Sequence, residues 1–87
     1  MDAQMDATRK RLLYKAAHRG MKETDKIIGG YGEVRLASMT EDELAAFDRL
    51  LDEPDNDLLN WIMDREEIPP HVDGYLLQEI IAFKDDL

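Results

Sequence analysis

The sequence predicts an all-α fold, a compact bundle of four to five short helices, and three observations predict it. Apolar residues recur at helical spacing in nearly every segment. Glycine, proline and capping residues break those segments at short intervals. No stretch alternates apolar and polar residues as a half-buried strand does. The 87 residues suffice for one domain with one modest core. Residues 1–87 are therefore read as a single helical domain, with residues 1–6 a disordered N-terminus. No second copy of a unit of roughly 34 residues is present, which excludes a helical repeat array.

The first helix is expected from Asp6 to His18, with Leu12, Leu13, Ala16 and Ala17 on one face. Gly20 stands where a glycine ends a helix. The second helix starts near Met21 and turns Thr24, Ile27, Ile28 and Tyr31 inward, with Glu23 and Asp25 favouring the positive end of its dipole. Gly29, Gly30 and Gly32 each weaken a helix by up to about 1 kcal/mol relative to alanine, so this helix is expected to fray or end there. Thr40 and Glu43 form a capping box ahead of Leu44, Phe47, Leu50 and Leu51. Pro54 ends that third helix. Asp55 or Asn56 is expected to cap a short fourth one carrying Leu58, Leu59, Trp61 and Ile62. Pro69 and Pro70 make an extended link, and the last helix is expected from Pro70 or His71 to Phe83, burying Val72, Leu76, Ile80 and Phe83 with Tyr75 at its edge.

Composition narrows the function. The absence of cysteine excludes disulfides, thiolate metal sites and thiol nucleophiles. No apolar run approaches the length of about 18 residues that spans a bilayer, and the opening residues lack the layout of a secretory signal or transit peptide, so a bacterial cytoplasmic protein without membrane insertion is expected. The net charge is −9. Residues 1–26 carry seven basic groups and four acids, and the acidic excess lies in the remainder. An acidic surface repels nucleic acid, whereas the basic opening suits either solvent or an acidic patch on a partner protein.

Catalytic candidates are few. Only two histidines are present. His71 opens the last helix as surface histidines do, and His18 suits the negative end of helix one. His18, Glu23 and Asp25 lack the spacing of metal ligands, so no metal is expected. Ser38 has no histidine near it in sequence, and the Gly29–Gly32 run lacks the strand and the Lys-Ser/Thr of a phosphate loop. The turn His18-Arg19-Gly20-Met21-Lys22-Glu23 remains. Its plain reading is a cap between two helices with a solvated arginine. Its sharper reading is a docking point: arginine offers a rigid fork of donors, glycine admits a second chain close to the backbone, and Glu23 would fall beside Arg19 and orient it.

Arg19-Gly20-Met21-Lys22-Glu23 resembles the RGxxE motif of the succinate dehydrogenase FAD assembly factors. A second stretch, from Leu51 through Asp52, Glu53, Pro54, Asp55 and Asp57 to Trp61 and Ile62, is similar to that family's LLDxPDxDLxxWI region. The basic first helix with Tyr14 and the Pro69-Pro70 pair also fit, so the resemblance covers residues 8–83. His18 departs from the arginine that members often carry there, and Gly29-Gly30 is softer than usual.

The resemblance implies a chaperone-like, non-catalytic factor. Its partner would be the flavoprotein subunit of succinate dehydrogenase or fumarate reductase, in which FAD becomes covalently attached. The client supplies both the FAD and the histidine that bonds to its 8-methyl carbon, so no cofactor is bound stably here. Arg19 would reach the client surface near FAD, Gly20 would allow close contact, Glu23 would bind the client or fix Arg19, and His18 and Met21 would flank them. A free monomer is expected. The second stretch reads as architectural, with Leu58 and Trp61 in the core. Two other readings compete. An acidic helical adaptor or nucleic-acid mimic would act through the acidic surface of helices three to five, and a flavin enzyme would purify yellow.

Overall fold

Helices begin where a residue satisfies amides that have no intrahelical partner, and that rule fixes most of the boundaries here. The computed structural model describes residues 6–87. Its elements are α1 (Ala7–Ala17), α2 (Lys22–Arg35), a 3₁₀ turn (Leu36–Ser38), α3 (Glu41–Leu51), α4 (Asp55–Ile62) and α5 (Gly74–Asp85). The expected all-α bundle is what forms, and no strand occurs among the described residues. Of the stretch expected to be disordered, residues 1–5 lie outside the described residues. Asp6 instead caps α1, its carboxylate accepting from the Arg9 amide at 2.9 Å.

Residues 18–21 reverse the chain between α1 and α2, which pack as a helical hairpin. Contrary to expectation, α2 runs through all three glycines to Arg35. The reason is packing. A Cβ on Gly29 would lie 3.0 Å from both Cα and Cβ of Ala17, and one on Gly30 would lie 3.3 Å from the Phe83 ring. Gly32 stands equally close to Leu13. The helix propensity lost at these positions is recovered as close approach of α1 and α5 to α2.

Thr40 and Glu43 form the expected capping box, with both reciprocal hydrogen bonds present. Two later starts differ from expectation. Pro54 rather than Asp55 or Asn56 is the N-cap of α4, with Asp55 as the first helical residue, because the Asp55 carboxylate is engaged elsewhere. Helix α5 starts at Gly74 rather than at Pro70 or His71. Residues 69–72 close a turn (Val72 amide to Pro69 carbonyl, 3.1 Å) and the Asp73 carboxylate accepts from the Leu76 amide at 3.0 Å, which makes Asp73 the cap.

Tyr31 sits at the centre of the core, its ring 5.9 Å from that of Phe47 and 6.0 Å from that of Phe83. Leu12, Ala16, Ile28, Leu36, Leu58, Ile62, Leu77 and Ile80 close around it. The Tyr31 hydroxyl donates to Glu79 at 2.9 Å, which satisfies the one polar atom the ring carries inward. Trp61 and Leu58 are buried, as the architectural reading of the second stretch requires. Among the described residues no helix is long and apolar enough to cross a membrane.

Candidate functional site

The turn between α1 and α2 is built around one backbone conformation. Gly20 has φ +102°, in the left-handed region that disfavours side chains. A Cβ placed there would meet nothing within 4 Å, so the glycine is exposed and its backbone is open to approach. The turn is closed on its inner side by Asp25, whose carboxylate accepts from the Arg19 amide at 2.6 Å. Buried Thr24 adds a hydroxyl donated to the Met21 carbonyl at 3.0 Å.

The Arg19 side chain folds inward. Its Nε donates to Asp55 Oδ1 at 2.5 Å, one terminal nitrogen to the Leu51 carbonyl at 2.6 Å, and the other to the Glu53 carbonyl at 2.7 Å. Only 9 % of the side chain is exposed, and 19 % of that of Asp55. The fork therefore neutralises the first acid of α4 and caps carbonyls at the negative end of α3. It joins the two stretches singled out in the sequence, 36 positions apart. Sequence reasoning missed Asp55 and Asp25 as the partners of Arg19. Both stretches stand out in the sequence, but nothing local reveals their pairing.

The other candidate residues face outward or lie at the rim. His18 is exposed, its Nδ1 2.9 Å from the Tyr14 carbonyl and its ring stacked on that of Tyr14 at 4.0 Å. Tyr14 is itself 66 % exposed. Met21 is half-buried and Glu23 exposed. Glu23 is not among the hydrogen-bond partners of Arg19. Because Gly20 breaks the helical register between them, the usual i,i+4 neighbour relation does not apply. The structure thus brings together His18, Gly20 and Met21 at one turn, with Glu23 on the first turn of α2 and Arg19 beneath.

Beside this turn, Lys15 on α1 bridges to Asp48 (2.9 Å) and Asp52 (2.7 Å) on and just after α3, and Arg11 reaches Asp48 at 3.4 Å. The hydrogen bonds that Lys15 donates to Asp52 and Asp48 raise its ammonium above its ordinary value. The Lys15 hydrogen bond, aided by Arg11, holds the Asp48 carboxyl below the ordinary carboxylate range against the opposing effect of burial. Much of the basic charge of α1 is thereby spent on α3. Among the described residues no three histidine, aspartate or glutamate side chains converge as metal ligands.

Comparison with known proteins bears on this arrangement. A protein-family profile described as "Flavinator of succinate dehydrogenase" matches residues 10–84, which includes both stretches. The "FAD assembly factor SdhE" of Acetobacter pasteurianus is 36% identical over 75 residues, which cover 86% of this chain and 69% of that protein. The "Succinate dehydrogenase assembly factor 2, mitochondrial" of Yarrowia lipolytica is 42% identical over 65 residues, covering 75% and 45%. The protein of the same name from Dictyostelium discoideum is 33% identical over 76 residues, covering 87% and 54%. The chain thus spans about half the length of these two mitochondrial relatives. No solved structure matches it significantly.

Proposed function

This chain belongs to the flavinator of succinate dehydrogenase family, and from that membership we propose that it binds the flavoprotein subunit of succinate dehydrogenase and promotes covalent attachment of FAD to it. The observation that carries the reading is the turn itself: an exposed left-handed glycine flanked by His18, Met21 and Glu23 and held rigid from below by Arg19. A pre-set turn loses little conformational entropy on binding, so more of its contact energy appears as affinity. The exposed Tyr14–His18 stack extends the same face with two rings already ordered.

In this reading the factor does no bond-making. The client holds FAD and the attacking histidine, and the factor contributes the alignment of one against the other. It is non-catalytic, binds no FAD stably and is a monomer when free. Fumarate reductase is a second client of the same chemistry. We place the chain in a bacterial cytoplasm, with the Acetobacter relative as support.

Arg19 acts from within the fold. Freeing it for a client would strip donors from the nearly buried Asp55 and two carbonyls, a cost of about 3–5 kcal/mol for a broken buried pair. Docking therefore falls to the residues it positions.

Covalent flavin, read as fluorescence of the denatured client in a gel, tests the proposal. The client is co-expressed with no factor, wild type or Glu23→Ala. Labelling depends on the wild type and falls with Glu23→Ala, whose folding stability stays within about 0.5 kcal/mol of wild type, as for surface changes generally. Full labelling without the factor sinks the assembly role.

A further inference from the structure

A second surface adjoins the turn. Between α2, the end of α4 and the end of α5 runs an open groove of about 380 Å³, lined by apolar Ile27, Leu59, Met63 and Leu87 and by Glu23, Lys26, Arg65 and Lys84. Two of its apolar members are among the exposed large apolar side chains of the described residues: Met63 at 41 % and Leu87 at 67 %. Its charge is the opposite of the molecule's. Three cations and one acid edge the groove on a chain whose net charge is −9. Lys84 is tied to Asp85 at 3.1 Å and leans on the Ile62 carbonyl at 3.4 Å. Among the described residues neither Lys26 nor Arg65 makes an ion pair.

Exposed apolar side chains edged by three cations, two of them without ion-pair partners, have a recognisable complement, an extended or helical segment with apolar side chains flanked by carboxylates. Glu23 belongs both to the groove rim and to the docking turn, so the two surfaces are continuous. We propose that this groove is a second docking surface that takes an acidic, apolar segment of the flavoprotein client. The inference rests on the client assignment above and adds where, and by what chemistry, the client is held beyond the turn. The cations speed and orient the encounter, while burial of Met63 and Leu59 slows release.

The test measures the affinity of purified flavoprotein subunit for the full chain. The variants are Met63→Asp and the pair Lys26→Glu with Arg65→Glu, and Arg49→Glu on α3, outside the groove, serves as the charge control. All four positions are exposed, and circular dichroism melts check that each variant keeps the wild-type fold. The expected result is a loss of about tenfold or more in affinity for the groove variants, little change for Arg49→Glu, and a salt dependence that shrinks in the paired charge reversal. Groove variants that bind within about twofold of a binding wild type overturn this inference and leave the assembly role standing. A wild type that does not bind the client removes the assembly role and this surface with it. If sedimentation instead shows a wild-type dimer that Met63→Asp dissolves while client binding persists, the groove belongs to a second copy and the inference fails.

Discussion

Removing the Arg19 guanidinium would leave Asp55 without its cation and the Leu51 and Glu53 carbonyls without their donors, all in a region that little water reaches. Arg19→Ala is therefore expected to cost about 3–5 kcal/mol in urea unfolding, a large share of the stability of so small a domain. Arg19→Lys keeps the charge but not the planar fork and recovers less than half of that loss. Glu23→Ala is the opposite case, with stability intact and client labelling reduced. The pair was legible as a motif, and the exposed glycine between them as a place for close approach. Their division of labour was not. Spacing puts Arg19 and Glu23 together only if the helix is continuous, and Gly20 at φ +102° breaks it.

Helix starts were most legible where the signal is local. The Thr40 box and the Pro54 stop lie within four residues of what they control, and both appear where the sequence puts them. Helix α2 was misjudged because propensity describes a helix in water and is silent on what packs against it. The same contrast predicts opposite signs for one substitution. Gly29→Ala raises intrinsic helicity by up to about 1 kcal/mol, yet its new methyl meets Ala17 at 3.0 Å, and overpacking of that kind costs roughly 1–3 kcal/mol. The thermal midpoint should fall. Gly74→Ala, at the open first position of α5 with nothing within 4 Å, should raise it by the equivalent of a few tenths to about 1 kcal/mol.

Across the whole molecule, pH acts through the ties between α1 and α3, through the cap of α1 and through the core tyrosine. Asp48, and Asp6 through its Arg9 bonds, have folded-state pKa values below the ordinary 3.8. Their stabilisation is present above that value and is lost as pH falls through the lower folded value. Lys15 is raised above 10.5 by Asp52 and Asp48, and Tyr31 above 10.0 by burial and its bond to Glu79. Their contributions are full below those ordinary values and vanish as pH rises past the folded ones. A melt series should show a plateau bounded by a decline below about pH 4 and another above about pH 10. Asp48→Asn should shallow the acid decline and Lys15→Met the alkaline one. The acidic balance of the chain was plain from composition, but which acids are spent on α1 depended on a helix contact that no single sequence displays.

The Arg19 fork has one further consequence. It makes the ends of α3 and α4 part of the same rigid body as the exposed turn, although more than thirty residues of chain separate them. Any opening of that junction releases the turn, so the two share one opening free energy. Whatever grips Gly20 must then also slow solvent exchange at the Asp52 and Glu53 amides, which close the last turn of α3. Conversely, a chain whose second half has not folded presents no competent turn. Recognition at one end of the molecule is thereby conditional on completion of the other.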